Sequence, residues 1–78
     1  MNISKRIISI VAETFEISEE KISLETSPAN TPEWDSFAQM SLVLNIETEF
    51  NIVLEFEEIF QIVSLETLID LVERKLQI

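Results

Sequence analysis

The sequence predicts an all-α protein, a small four-helix bundle of three long helices and one short helix with a long first connector. Apolar residues recur at helical spacing in three separate stretches of the chain. Both prolines fall between the first two of those stretches. With 78 residues, of which 46% are apolar, the chain is too apolar for a disordered acidic tail and long enough for one thin core. We therefore expect a single domain over residues 1–78.

The first helix is predicted over Asn2 to Phe15, because its apolar residues fall on one side of a helical wheel. Those residues are Ile3, Ile7, Ile10, Val11 and Phe15. Asn2 is of a residue type that commonly caps helix N-termini. Several residues of this segment are β-branched, which lowers the intrinsic helix propensity. We therefore expect the helix to depend on packing against the rest of the core.

A long connector is predicted between the first helix and the next one. Ser18 is placed to cap one short helical turn, and Ile22 and Leu24 are expected to anchor the connector in the core. A cluster of turn-forming residues prevents a long helix here: Ser27, Pro28, Asn30, Thr31 and Pro32. Connectors of this length in small domains often have a function, so the connector is a candidate location for a functional site.

The central helix is predicted to begin at Asp35 or Ser36 and to end at Phe50. Its expected core-facing arc is broad and consists of Phe37, Met40, Val43, Leu44, Ile46 and Phe50. Two polar residues interrupt that arc. We interpret Gln39 as the partner of Ser36 in a capping box at the helix start. We interpret Glu47 as an acid at the rim of the core that turns its carboxylate to water.

The C-terminal half is predicted to contain one short and one long helix. Asn51 is a typical helix stop, and a brief helix is expected around Glu57 to Phe60 or Ile62. Ser64 is the predicted N-cap of the last helix. The stripe of this helix that faces the core consists of Leu65, Leu68, Ile69, Val72 and Leu76.

The composition excludes most common forms of catalysis. The chain has no cysteine, no histidine and no glycine. It therefore lacks a thiol nucleophile, the commonest general base, the commonest transition-metal ligands and a glycine-rich phosphate loop. Its 15 acidic residues do not show the spacing of a calcium-binding loop. We predict that the protein is not an enzyme and has no catalytic residues and no metal ligands of its own.

The net charge of −10 predicts the kind of partner. It repels nucleic-acid phosphates and anionic lipid headgroups, and it favours docking onto a basic patch of another protein. The N-terminus has no signal-peptide pattern, and the longest early apolar run is too short to span a membrane. We expect a cytoplasmic monomer that has no nucleic-acid partner and no membrane span.

Ser36 is the one residue whose context points to a site. It follows the long connector and opens the central helix. The unpaired backbone N–H groups and the dipole at a helix start stabilise a phosphate attached there. Serine is also common as an ordinary N-cap, and from spacing alone the ordinary cap is the favoured interpretation.

A longer pattern surrounds this serine. Residues 33–37, Glu-Trp-Asp-Ser-Phe, enter a helix that ends in Glu-Thr-Glu-Phe at residues 47–50. This pattern resembles the phosphopantetheine attachment region of acyl carrier proteins, where Asp-Ser is followed by a large apolar residue. The resemblance covers nearly the whole chain, and length, charge and helix order agree with it. It extends to Ile52, Leu54, Glu57, Glu58, Ile62, Ser64 and Leu65.

The resemblance implies a carrier function. Ser36 would receive 4′-phosphopantetheine from coenzyme A through a phosphopantetheinyl transferase that uses magnesium, with Asp35 supporting that step. The arm's thiol would hold acyl groups as thioesters and present them to acyl-transferring and chain-building enzymes of fatty-acid, polyketide or related biosynthesis. Phe37 and Met40 would contact those partners or the arm, and the bundle could shelter an acyl chain between its helices.

Several residues depart from the family pattern. Trp34 stands where many fatty-acid carriers have glycine, and Phe37 replaces the usual leucine. The first half of the central helix is nearly uncharged, so only Glu47 and Glu49 remain for a partner that recognises acids. These departures favour a specialised stand-alone carrier of a secondary-metabolite or polysaccharide-type pathway. We interpret Trp34 as a plug between the connector and the central helix, the alternative being a partner contact.

Two other functions remain open on the sequence. One is a cofactor-free acidic helical module that binds a basic protein, and the other is a calcium-binding regulator. Modification of Ser36 separates the carrier from the first alternative, and a metal-dependent change in stability would reveal the second. The acyl cargo, the pathway and the cognate enzymes are not encoded in any recognisable pattern.

Overall fold

The computed structural model describes residues 2–76 and confirms the all-α prediction. Within this range there are four α-helices and one 3₁₀ turn. The helices are α1 (Ile3–Phe15), α2 (Ser36–Phe50), α3 (Phe56–Ile59) and α4 (Leu65–Leu76), and the 3₁₀ turn is Glu19–Lys21. Residues 1, 77 and 78, which the predicted domain includes, lie outside the described residues.

The α1 helix forms as predicted. The Asn2 side chain accepts a hydrogen bond from the backbone N–H of Lys5 and so caps the helix start. The helix ends at Phe15, and its C-cap Glu16 adopts the left-handed conformation with φ of 57°. The residues that α1 buries in the core are Ile7, Ile10, Val11 and Phe15.

The connector between α1 and α2 is only partly as predicted. Ser18 caps the 3₁₀ turn by accepting from the N–H of Glu20, and Ile22 packs against the core. The prediction that Leu24 is an inward anchor is wrong, because this side chain is 52% exposed. The backbone explains the difference: the carbonyls of Leu24 and Thr26 accept hydrogen bonds from the first N–H groups of α4. The connector is thus held to α4 by its main chain.

The face that α2 turns to the core differs from the predicted arc. Val43 and Ile46 are buried as expected, but Phe37, Met40 and Leu44 are exposed. Leu42, which was not in the predicted arc, is fully buried. Apolar residues surround α2 on all sides, so helical periodicity alone cannot determine which of them faces the core. That orientation is decided by packing, and α2 packs mainly against α1.

The start of α2 also corrects a prediction. Asp35, not Ser36, is the N-cap, and its Oδ1 accepts from the N–H of Ala38 at 2.9 Å. The capping box of Ser36 with Gln39 is therefore wrong. The Gln39 side chain points away from the cap and bonds to Trp34 and α3.

The C-terminal helices lie close to their predicted positions. Asn51 ends α2 in the left-handed conformation, and α3 begins at Phe56, one residue before the predicted start. Glu55 and Glu58 form a capping box around α3. Ser64 Oγ accepts from the N–H of Thr67 at the start of α4, which confirms the predicted cap. The buried residues of α4 are Leu65, Leu68, Ile69, Leu71 and Val72, of which Leu71 was not predicted.

The helices of the described residues fall short of what a membrane crossing requires in length and in hydrophobicity.

Candidate functional site

The hydroxyl of Ser36 lies at the first position of α2, and the residue is exposed. Asp35 precedes it in an extended conformation and caps the helix, so the cap does not involve the serine hydroxyl. In an α-helix the N–H groups of the first turn have no partner within the helix. The side chain of Asp35 uses the N–H of Ala38, which leaves the N–H groups of Ser36 and Phe37 directed at the space in front of the helix. Together with the helix dipole, they favour a phosphate on Ser36.

An apolar groove of about 580 Å³ opens beside Ser36. It lies between the end of the connector, the first turns of α2 and α3. Its lining residues are Pro28, Trp34, Asp35, Ser36, Gln39, Met40, Phe56, Ile59, Phe60 and Ile62. This volume lies within the usual range for small-molecule sites in proteins. A flexible arm attached to Ser36 therefore has an apolar surface beside its attachment point, so these residues fit such a group.

Trp34 plugs the junction between the connector and α2, as the favoured interpretation predicted. The side chain is only 3% exposed, and its ring packs against Phe15 with the ring centroids 5.3 Å apart. The indole Nε1–H donates to Oε1 of Gln39 at 2.6 Å. The Gln39 Nε2 in turn donates to the carbonyl oxygen of Ile59 at 3.5 Å. Tryptophan at this position is therefore part of the core, and its polar atom has a partner.

Apolar side chains project from the protein around the groove. Phe37 is 82% exposed, and Met40 is about half exposed on the same side of α2, one turn later. Phe56 of α3 and Phe60, the C-cap of α3, are also exposed and contact each other edge to face, with their centroids 4.9 Å apart. Exposed apolar groups clustered around one site are typical of surfaces that bind a ligand or a partner.

The acids Glu47 and Glu49 lie at the other end of α2, with Glu47 roughly 16 Å from Ser36 along the helix axis at 1.5 Å per residue. The interpretation that Glu47 turns its carboxylate to water is wrong. Its Oε2 accepts from the N–H of Leu54 at 2.8 Å and so holds the segment after α2. Glu49 pairs with Arg6 of α1 at 2.7 Å, and the hydrogen bond from Arg6 lowers the pKa of the Glu49 carboxyl.

The structure thus brings together part of the predicted site. Ser36, Asp35 and Met40 line the groove, and Phe37 projects beside it. Phe56 and Phe60 were not among the predicted site residues, although their spacing of four residues places them on one helix face. Gln39 was assigned to a cap, and no sequence signal connects it with the groove.

Comparisons with known proteins agree with this geometry. The family model described as "Phosphopantetheine attachment site" matches residues 5–72, a stretch that includes Ser36 and the groove. The chain is 32% identical over 74 residues to an acyl carrier protein of Buchnera aphidicola, covering 95% of this chain and 92% of that protein. It is 27% identical over 74 residues to an acyl carrier protein of Petrotoga mobilis, covering 95% and 87% of the two chains.

A solved structure is similar over the whole fold. It is the solution NMR structure of a holo acyl carrier protein from Geobacter metallireducens, with a TM-score of 0.87 and 26% sequence identity. The superposition covers 99% of this chain and 88% of that chain. The long first connector and the helix order are therefore shared with a protein of that class.

Proposed function

Because the chain belongs to the acyl carrier protein family, defined by its phosphopantetheine attachment site, we propose that Ser36 is the residue that bears the arm. The family carries acyl groups on this arm and is not catalytic. The observation that supports Ser36 is its exposed position at the first residue of α2, next to an apolar groove. The terminal thiol of the arm supplies the sulfur that this cysteine-free chain lacks.

The role of Ser36 is to form one phosphodiester bond. Its Oγ bonds to the phosphorus of the phosphopantetheine group while the pyrophosphate P–O bond of coenzyme A breaks. Adenosine bisphosphate is the leaving group, and the proton from Oγ passes to the transferase or to solvent. The N–H groups at the start of α2 stabilise the resulting negative phosphodiester. A phosphopantetheinyl transferase with magnesium catalyses this step, so the chain itself needs no general base.

Asp35 supports the attachment in two ways. One carboxylate oxygen caps α2 through the N–H of Ala38 and so orients the backbone that carries Ser36. The second oxygen is available to the transferase and its metal ion. An Asp35→Asn variant separates the two roles, because asparagine caps helices as well as aspartate but has no charge. We expect this variant to keep its fold and to be modified more slowly.

Phe37 and Met40 form the main contact for partner enzymes, because they are the exposed apolar groups of α2 closest to the attachment point. Glu47 and Glu49 complete the proposed partner surface at the far end of α2 and would face a basic patch. Both already accept hydrogen bonds within the chain, so we expect them to contribute less than Phe37 and Met40.

Intact mass spectrometry tests the attachment directly. The protein is incubated with coenzyme A, magnesium and a broad-specificity phosphopantetheinyl transferase. We expect one phosphopantetheine addition to the native chain and none to Ser36→Ala. The matched control is Ser41→Ala, the same change further along α2, which should be modified like the native chain.

The opposite result has a defined meaning. If the native chain gains no mass while a known carrier is modified in parallel, Ser36 is not an attachment site. The cofactor-free acidic interaction module would then be the better hypothesis. Addition to Ser36→Ala would move the attachment to another hydroxyl group.

The finer features of this carrier are also proposals. We propose a cytoplasmic, monomeric, single carrier domain over residues 1–78, specialised for a pathway other than housekeeping fatty-acid synthesis. One support is Trp34 at a position where many fatty-acid carriers have glycine. The other is the absence of charged residues between Asp35 and Glu47, because a partner that recognises an acidic helix would find few carboxylates there. Loading by a fatty-acid acyltransferase should accordingly be slower than for a fatty-acid carrier assayed alongside. Equal rates would contradict the specialisation.

A further inference from the structure

Two aromatic rings on the α3 side of the groove are open to contact from outside the protein. Phe56 is 72% exposed and Phe60 is 70% exposed. Their rings meet edge to face, an arrangement that covers at most one face of one ring. Each ring therefore keeps a face that another group can contact. Large exposed apolar groups of this kind are typical of a surface that binds a partner.

A carboxylate lies next to these rings. Glu57 is exposed and comes three residues before Phe60, a spacing that makes the two side chains neighbours on a helix surface. The other two acids of this segment are held within the fold, because Glu55 and Glu58 form the capping box and Glu58 also pairs with α4. Glu57 takes part in neither contact. We call Phe56, Glu57 and Phe60 the α3 surface.

The central helix offers no comparable charge near the attachment point. No charged residue occurs from Ser36 to Ile46. The acids that follow are Glu47 and Glu49, and both are held within the fold. Glu47 accepts from the N–H of the segment after α2, and Glu49 pairs with α1. A cationic partner would have to compete with these contacts, whereas the carboxylate of Glu57 is exposed.

The α3 surface also lies where an enzyme acting on Ser36 would reach it. Phe56 and Phe60 line the same groove as Ser36, so an enzyme that covers the Ser36 hydroxyl also covers this side of the groove. The net charge of −10 attracts a basic protein from a distance. The orientation of the complex is set by the charges that come into contact, and Glu57 is placed to be one of them.

We infer that the α3 surface is the charge contact for the phosphopantetheinyl transferase that modifies Ser36, and that it takes a cationic side chain of that enzyme. This inference rests on the proposed attachment at Ser36. An arginine fits best, because its guanidinium group stacks on an aromatic face while its N–H groups bond to a carboxylate. The docking surface of the enzyme is thus apolar opposite Phe37 and Met40 and basic opposite Glu57.

The unmodified native protein tests where the enzyme docks. Its backbone amide NMR signals are followed while a broad-specificity phosphopantetheinyl transferase is added without coenzyme A, so that docking occurs and no arm is attached. We expect the signals of Phe56, Glu57 and Phe60 to shift or broaden more than those of Glu47 and Glu49. Larger changes at Glu47 and Glu49 than in the α3 surface would overturn the inference.

A variant tests the carboxylate. Glu57→Gln keeps the size of the side chain and removes its charge. We expect kcat/KM for modification to fall about threefold at about 0.05 M salt, mainly through KM, and the difference from the native protein to shrink at about 0.5 M salt. The matched control is Glu20→Gln, the same change at an exposed position of the 3₁₀ turn. An equal loss in both variants would overturn the inference, because net charge alone would then explain it.

A second variant tests the aromatic part of the contact. Phe56→Leu keeps an apolar side chain but removes the ring face on which a guanidinium group stacks. We expect KM for modification to rise about threefold, and the rise to persist at high salt because contact with the ring is screened less than contact with an exposed carboxylate. Circular dichroism checks that the variant is folded. An unchanged KM in both Phe56→Leu and Glu57→Gln would overturn the inference.

The docking surface and the attachment site fail in different ways. If the native chain gains the arm and the variants of the α3 surface are modified at the native rate, the docking surface is wrong and the attachment at Ser36 stands. If the native chain gains no arm while a known carrier is modified in parallel, the attachment at Ser36 is wrong and the inference falls with it.

Discussion

Asp35 and Ser36 are neighbours with separate roles at the start of α2. The aspartate makes the cap, and the serine stands at the first helical position with its hydroxyl outside that cap. A serine that is not needed for the cap can be modified without weakening the helix. The position of Ser36 is therefore compatible with the proposed attachment of the arm.

This division predicts different stabilities for two alanine variants. Asp35→Ala should lower the free energy of unfolding by about 1 kcal/mol, because it removes the N-cap. Ser36→Ala should change it by less than about 0.5 kcal/mol, as is usual for an exposed position. Urea unfolding of both variants measures the difference, with Asp35→Asn as the control that keeps the cap. A larger loss in Ser36→Ala than in Asp35→Ala would show that the serine is structural.

Glu47 is a second residue whose role follows from its hydrogen bond. Glu47→Ala should lower the free energy of unfolding by about 1–3 kcal/mol, because it leaves the N–H of the buried Leu54 without its acceptor. Glu47→Gln retains an acceptor oxygen and should lose less. Urea unfolding compares them, and equal losses in the two variants would mean that the charge, not the hydrogen bond, is what matters.

The short helix α3 depends on bonds outside its own four residues. A helix this short has little stability of its own. The N–H of Glu55 donates to Glu58 Oε1 at 2.7 Å, and Lys75 of α4 donates to the same oxygen at 3.0 Å. The bond from Glu55 and then the bond from Lys75 lower the pKa of the Glu58 carboxyl from its ordinary 4.5. Glu58 thus holds α3, one side of the groove, against α4.

The lowered pKa of Glu58 predicts how its contribution depends on pH. A carboxyl with a lowered pKa in the folded state stabilises the fold above its ordinary pKa, and this stability is lost as the pH falls through the lowered value. Glu58→Gln should therefore be less stable than the native protein at about pH 7, and the difference should vanish in strong acid. Urea unfolding across this pH range measures it.

The control for this experiment is Glu57→Gln, on the same helix at an exposed position. It should show a smaller difference from the native protein at neutral pH. If Glu58→Gln and Glu57→Gln gave the same pH dependence, general charge reduction and not the contact with Lys75 would explain the effect.

At the scale of the whole molecule, the net charge of −10 acts over a body of 30 × 26 × 19 Å. The Debye length is about 30 Å at 0.01 M salt and about 8 Å at 0.15 M. At low salt the carboxylates therefore repel one another across the whole molecule, whereas at moderate salt only near neighbours interact. The two ion pairs of the described residues, Arg6–Glu49 and Lys75–Glu58, offset little of this repulsion because they are near the surface.

We expect the melting temperature to rise when salt is increased from about 0.01 M to about 0.15 M, because screening weakens the repulsion among the carboxylates. Thermal unfolding followed by circular dichroism measures this rise. A double variant of exposed acids, Glu20→Gln with Asp70→Asn, should melt higher at low salt and respond less to added salt. A melting temperature that does not change with salt would show that repulsion does not limit stability.

Much of the fold follows from local patterns in the sequence. The bounds of α1, the start of α4, the stop at Asn51 and the caps at Asn2, Ser18 and Ser64 depend on residues within one or two helical turns of each other. Such interactions can be read from neighbouring positions. The resemblance around residues 33–37 likewise pointed to the family, and to Ser36 within it, from a continuous stretch of chain.

The features of the fold that the sequence did not predict depend on contacts between segments that are distant in sequence. Apolar residues surround α2, so only its packing against α1 decided that Leu42 is buried and that Phe37 and Met40 are exposed. Gln39 was misassigned because its partners in the connector and α3 become neighbours only in the folded chain. The sequence by itself determined the helices, the family and the expected attachment residue, because those are encoded locally. Only the tertiary structure decided the shape of the groove and the hydrogen bond from Gln39 to Ile59 beside it, because a contact between distant segments has no local pattern.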